Sequence, residues 1–85
     1  MTAVYEESEK YKLVETFGPE SFTVLEDGRL LMKSHYKNMD TAVKEILSFA
    51  EKAEVIGPEE VRTELLYRIN AIKRNIKHDI PVLRL

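Results

Sequence analysis

The side chains best suited to chemistry form two neighbouring pairs, His35 with Tyr36 and Glu59 with Glu60. Both pairs contain groups that act as general acids and bases in enzymes. Such catalysis requires the groups to converge on a pocket. The first pair instead follows a predicted hairpin, and the second occupies the first turn of a predicted helix, where carboxylates complement the helix dipole. No phosphate-binding loop or nucleophile motif accompanies them. We therefore predict that the protein is not an enzyme and has no catalytic residues.

Metal and cofactor chemistry is not expected either. The chain has no cysteine, which removes thiolate ligands and disulfide bonds. Its two histidines, His35 and His78, are far apart in sequence and make a poor basis for a zinc site. The sequence therefore predicts no metal ligand and no cofactor-binding residue.

The length sets the size of the folding unit. A chain of 85 residues is sufficient for one hydrophobic core, so we predict a single domain over residues 1–85. The opening MTAVYEESEK is acidic and polar where a signal peptide would be basic and then apolar. No apolar run approaches the roughly 20 residues that a membrane span needs. We expect a soluble cytoplasmic protein with no membrane partner.

The first predicted element is a helix from about Val4 to Phe17. This stretch is rich in helix-forming residues, and Gly18 followed by Pro19 is typical of a helix end. An apolar stripe on this helix would face the core.

The segment SFTVLEDGRLLMKSHY predicts a β-hairpin that turns near Gly28. A two-residue loop would place charged and apolar residues beside each other across the hairpin. A three-residue loop over residues 26–28, with the glycine in the left-handed conformation, sets Phe22 opposite Met32 and Val24 opposite Leu30 on one apolar face. We predict the three-residue loop.

The rest of the chain predicts two more helices and two strands. The second helix begins at Asn38 or Asp40, since either side chain can cap its first turn, and a short strand follows at residues 54–57. Pro58 suits the first turn of the third helix because its missing N–H would have no partner there. The final IPVLRL predicts a strand at a sheet edge. The predicted fold is α+β, a ferredoxin-like sandwich of one sheet of about four strands with three helices, in the order α-β-β-α-β-α-β.

Two sets of apolar residues repeat at helix or strand spacing. The stripe of the third helix comprises Val61, Leu65, Leu66, Ile69, Ile72 and Ile76. The predicted core comprises Phe22, Val24, Leu30, Met32, Val43, Ile46, Leu47, Val55, Leu65 and Ile69. We expect these core residues to be buried together.

The junction between the second and third helices carries a family resemblance. Residues 46–65, ILSFAEKAEVIGPEEVRTEL, resemble the C-terminal extension of WYL-domain transcriptional regulators. In that family a helix ending in leucine, serine, phenylalanine and glycine leads to an AEV strand and a proline-glutamate-glutamate helix start followed by an arginine. The matching positions are Ile46, Leu47, Ser48, Phe49, Ala53, Glu54, Val55, Pro58, Glu59, Glu60 and Arg62. ETFGPES and DGRL are also similar to that domain, so the resemblance spans about residues 4–76.

The chain departs from the family pattern in two positions and in the order of its elements. Glu45 stands where a tryptophan is frequent, and Ala50 stands where a glycine follows the phenylalanine. The family domain opens with a strand of the PV-LRL type and continues as βαββαβ with an added helix, whereas here IPVLRL is at the end. One hypothesis is that the chain is circularly permuted. Alternatively, the tail pairs with a neighbouring copy or forms a new edge strand beside Val55.

The resemblance implies a non-catalytic accessory domain of a bacterial transcriptional regulator, which mediates dimerisation or transmits a ligand signal. Its partners would be a second copy of the chain or the regulator's WYL and winged-helix domains. The candidate partner contacts are Leu25, Leu31, His35 and Leu85. An engineered or rearranged small domain with no function of its own is an alternative.

Charge is distributed unevenly along the chain and suggests a further alternative. Residues 61–85 contain six basic and two acidic residues, whereas residues 1–27 contain seven acidic and two basic residues. A weak nucleic-acid-binding module would use its cations to neutralise phosphates. The candidate contacts are Arg62, Arg68, Lys73, Arg74 and Lys77. The net charge of −2 and the lack of a recognition motif make nucleic acid the less favoured partner.

Overall fold

A computed structural model describes residues 1–76 of the chain. The predicted terminal strand, together with Lys77, His78 and Leu85, lies outside the described residues. The strands are β1 (Thr2–Tyr5), β2 (Phe22–Val24), β3 (Leu30–Lys33) and β4 (Ala53–Gly57), and the helices are α1 (Lys10–Phe17), α2 (Met39–Leu47) and α3 (Glu59–Arg74). The fold is α+β, with one four-stranded sheet and three helices, as predicted.

The four strands form one antiparallel sheet in the order β2-β3-β1-β4. Both β3 and β4 pair antiparallel with β1, so they run parallel to each other on either side of it. A strand-helix-strand unit such as β3-α2-β4 typically has this parallel arrangement. The topology is the ferredoxin-like βαββαβ arrangement, with α3 added after its last strand.

The N-terminal residues form a strand where a helix was expected. The predicted helix began at Val4, whereas β1 spans Thr2–Tyr5 and α1 starts only at Lys10, after a 3-10 turn at Glu7–Glu9. Pairing on both sides explains the error, because β1 lies between β3 and β4 and residues 3–5 are all buried there. Tertiary pairing overrides the local helix preference of this stretch. The family's opening strand is therefore already in its usual place, and the circular-permutation hypothesis is wrong.

The hairpin has the predicted register. Phe22 pairs with Met32 and Val24 pairs with Leu30, and the backbone hydrogen bond from Leu25 N–H to the carbonyl of Arg29 closes a three-residue loop. Gly28 has φ of +90°, the left-handed conformation that the loop requires.

One face of the sheet packs against α1 and α2. The main core cluster comprises Ala3, Tyr5, Leu13, Leu30, Met32, Ile46 and Phe49. Of the ten predicted core residues, Leu30, Met32, Val43 and Ile46 are buried, and Phe22, Leu47, Val55 and Leu65 are partly buried. Val24 and Ile69 are exposed, contrary to prediction. Val24 lies on the edge strand β2, and Ile69 lies beyond the part of α3 that contacts the core.

Capping fixes the start of α2. The Asn38 side-chain oxygen accepts hydrogen bonds from the backbone N–H and the hydroxyl of Thr41, each at 2.9 Å. Asn38 is therefore the cap, and Asp40 lies within the first turn. Asp40 is instead available for ion pairs with α3.

Candidate interaction surfaces

The sheet face opposite α1 and α2 is the first candidate surface. Alternation along the strands and the pairing registers place Thr23, Leu31, Val4 and Glu54 in one row across all four strands. We call this side the open sheet face. Leu31 and Val4 form its apolar centre on the two inner strands, β3 and β1. Val4 is only 8% exposed, so Leu31, which is partly buried, is the more accessible of the two.

Two ion pairs lie at one end of the open sheet face. An Arg29 guanidinium nitrogen is 3.7 Å from a Glu54 carboxylate oxygen, and Lys52 Nζ is 3.2 Å from a Glu6 carboxylate oxygen. The hydrogen bond to Glu6 raises the pKa of Lys52. Since these side chains are largely solvated, the pairs contribute little to stability, but they place charges of both signs beside the apolar centre, where a partner can match them.

The predicted partner contacts do not all reach this face. Leu31 lies at its centre. Leu25 is partly buried beside the hairpin loop, where its N–H donates to the carbonyl of Arg29. His35 is exposed in the segment after β3, and Leu85 lies outside the described residues. Sequence reasoning missed Val4, because it was assigned to a helix.

Arg68, one of the predicted nucleic-acid contacts, is held by carboxylates. Its guanidinium lies 2.5 Å from an Asp40 oxygen on α2 and 3.3 Å from a Glu64 oxygen one turn earlier on α3. Lys44 Nζ also lies 3.1 Å from Asp40. Hydrogen bonds from Arg68 and Lys44 lower the pKa of Asp40, and the bond to Asp40 raises the pKa of Arg68. These pairs link α2 to α3 and neutralise Arg68.

The remaining predicted cations are separated from one another. Arg62, Lys73 and Arg74 are exposed on α3, and Lys77 lies outside the described residues. By the helical rise and twist, Arg62 and Lys73 are about 16 Å apart on one side of the helix, while Arg74 points about 100° away from Lys73. Their charges do not converge on one point.

A shallow acidic cleft of about 570 Å³ lies between α2 and α3. It is lined by Met39, Glu59, Glu60, Thr63, Glu64 and Tyr67. The Tyr36 hydroxyl donates to Glu60 at 3.4 Å, whereas His35 does not line the cleft. Within residues 1–76, no cluster of three or more histidine, cysteine or acidic residues is arranged to hold a metal ion. No helix in the same range is long and apolar enough to cross a membrane.

A family comparison identifies the domain. The WCX domain model matches residues 3–72, which is most of the chain. The chain belongs to the WCX family. No curated protein matches it at a significant level.

The residues that carry the WCX resemblance are mainly structural. Ile46 and Phe49 are buried in the core, and Val55 packs against it from β4. Pro58 is the residue immediately before α3, and the carboxylates of Glu59 and Glu60 complement the helix dipole in its first turn. The junction motif therefore ends one helix, passes through the edge strand and begins the next helix.

The two departures from the family pattern also have structural consequences. Ala50 has φ of +52°, in the left-handed region that glycine adopts at little cost. Glu45 is partly buried, which raises its pKa. Burial of Tyr5 raises the pKa of its hydroxyl to about 12, and the nearby charge of Glu45 contributes to this shift. The Tyr5 ring packs edge-on against Phe49, with centroids 4.8 Å apart.

Proposed function

We propose that this WCX domain is a non-catalytic accessory domain of a cytoplasmic transcriptional regulator, and that its open sheet face contacts another domain of that regulator. The observation that supports the proposal is the apolar pair Leu31 and Val4 on the two inner strands, on the face opposite the helices. Family membership suggests the accessory role. Transmission of a ligand signal would require this contact to differ between two states of the regulator.

The size of the open sheet face favours a domain contact over a free homodimer. Four strands spaced about 4.8 Å apart, each about 13 Å long, give a footprint of roughly 250 Å². A stable complex between separate proteins buries about 800 Å² on each partner. A surface this small binds firmly only when a tether raises the effective concentration of its partner. The regulator's WYL or winged-helix domain meets that condition.

The test is an NMR titration of the isotope-labelled chain with a separately produced WYL domain from a WCX-containing regulator. We expect amide shifts at Leu31 and Val4. Leu31→Lys should abolish them, and Leu66→Lys should preserve them, because Leu66 is an exposed leucine on α3. Shifts confined to α3 would contradict the assignment. Light scattering provides a second check, since a stable dimer lost in Leu31→Lys but kept in Leu66→Lys would replace the domain contact with dimerisation.

Nucleic-acid binding remains a prediction that the arrangement of cations does not favour. Replacing Arg62, Lys73 and Arg74 by glutamine leaves the Arg68 ion pairs intact. Fluorescence anisotropy with a mixed-sequence oligonucleotide at low salt measures binding before and after this change. Salt-sensitive binding that weakens in the triple variant would restore this function, and equal or no binding would remove it.

A further inference from the structure

Among the residues that the structure describes, no strand pairs with the outer edge of β4. The sheet order β2-β3-β1-β4 places β4 at one end, with β1 as its one strand partner within residues 1–76. Ala53 and Val55 pair regularly with β1, and Ile56 is the extra residue of a bulge before Gly57. A regular three-residue edge, residues 53–55, thus presents backbone groups that a further strand can bond.

The helix that follows β4 carries an apolar stripe that becomes steadily more exposed. Leu65 packs against the core, whereas Ile69, Ile72 and Ile76 on the same side of the helix are 42%, 47% and 74% exposed. We call these last three residues the α3 stripe. Since α3 contacts β4, the stripe continues the face that begins beside the edge strand. Large aliphatic side chains at this spacing are typical of a helix packed on another element.

The segment after Ile76 has the length and the apolar pattern to pack against the outer edge of β4 and the α3 stripe. Lys77, His78 and Asp79 are sufficient for a reversal, and six extended residues reach roughly 20 Å. The α3 stripe extends over about 10 Å by the helical rise. Period-two alternation in IPVLRL puts Pro81, Leu83 and Leu85 on one face and Ile80, Val82 and Arg84 on the other. One face is therefore wholly apolar, and the other carries the charge.

We propose that residues 80–85 of this chain dock as a fifth strand on the outer edge of β4, beneath the α3 stripe. A strand reached from β4 through α3 completes a strand-helix-strand unit, in which the two strands run parallel and the helix covers one face. Leu83 and Leu85 would contact Ile69 and Ile72, and Arg84 would lie on the side of the open sheet face. Pro81, which lacks an N–H, is tolerated at the start of an edge strand.

The same chain is the favoured source of the segment. A three-residue connection holds the tail at an effective concentration in the millimolar range, far above the concentration of a neighbouring copy in dilute solution. This inference does not depend on the proposed function. The proposed function concerns the open sheet face, whereas the inference concerns the outer edge of β4 and the α3 stripe. Docking would also make Leu85 an intramolecular contact.

Hydrogen exchange in the full chain tests the proposal. We expect Leu83→Asp to accelerate exchange at the outward amides of residues 53–55 by about tenfold or more. Arg84→Asp, the matched change on the charged face, should leave exchange near that of the parent. Circular dichroism checks that both variants keep the fold. Equal exchange in all three proteins, or acceleration by both variants alike, would overturn the proposal.

Two further measurements separate the sources of the strand. Light scattering of the full chain across concentrations should give a monomer. A dimer that Leu83→Asp dissociates would mean that the tail pairs with a neighbouring copy, which overturns the intramolecular form. In the Leu83→Asp protein, added peptide IPVLRL should restore protection at residues 53–55, and no effect at high peptide concentration would count against docking on the edge of β4.

Discussion

Replacing Ala50 by glycine should stabilise this WCX domain. Ala50 has φ of +52° and is exposed, so its methyl group adds backbone strain without core packing. The left-handed conformation costs a non-glycine residue about 1–2 kcal/mol. Glycine loses about 0.4–1 kcal/mol more on folding, because its unfolded chain is freer. The net stabilisation expected from Ala50→Gly is about 0.5–1 kcal/mol. This difference gives a physical reason for the glycine that the family pattern has at this position.

The assay is thermal and urea unfolding of Ala50→Gly beside a matched control, Ala53→Gly. Ala53 has φ of −128° and packs against the core, so glycine there should destabilise the domain by about 0.5–1 kcal/mol. For a chain of this size, Ala50→Gly should raise Tm by about 2–8 °C. If the two variants lost stability alike, residue 50 would not carry the strain, and the explanation of the family glycine would fail.

Four other substitutions or comparisons test the packing, capping and turn. Tyr5→Phe should gain about 1 kcal/mol, because the buried hydroxyl has no partner among the described residues. Since burial raises the Tyr5 pKa to about 12, wild-type stability should fall relative to this variant between pH 10 and 12, and a constant difference would refute the assignment. In urea, Ile46→Ala should cost about 2–5 kcal/mol and partly buried Leu65→Ala less, so equal losses would contradict the observed burial. Asn38→Ala should remove about 1 kcal/mol with its cap, measured by thermal unfolding, and an unchanged Tm would refute the capping role. Gly28→Ala should cost about 1 kcal/mol or more at φ of +90°, and an unperturbed urea midpoint would count against the loop conformation.

The hairpin was predictable because two registers gave different faces. The two-residue loop mixed charged and apolar residues, and only the three-residue loop placed Phe22 opposite Met32. Gly28 then had a conformational reason for its position. The start of the third helix at Pro58 was also predictable from local chemistry, because proline has no N–H that would need a partner there. The local sequence is therefore sufficient to predict a turn or a helix start whose geometry depends on neighbouring residues alone.

The missed features depend on distant residues. β1 has only four residues and is followed by helix-forming glutamates, so its pairing with β3 and β4 leaves little local signal. Helical periodicity found Ile69 and Ile72 on one stripe but could not show whether another element covers them. The ion pair between Arg68 and Asp40 joins residues 28 positions apart. Charge counting along the sequence therefore overstated the basic character of α3.

The central position of β1 has a consequence for how the chain folds during synthesis. β1 precedes the other described strands in the chain, yet it pairs with β4, whose residues 53–57 follow about 50 positions later. At 5–20 residues per second, roughly 3–10 s pass before that partner is synthesised. During this interval one edge of β1 remains unpaired even if β3 has joined the other. Until β4 is complete, this edge of β1 therefore exposes backbone groups that can pair with another chain.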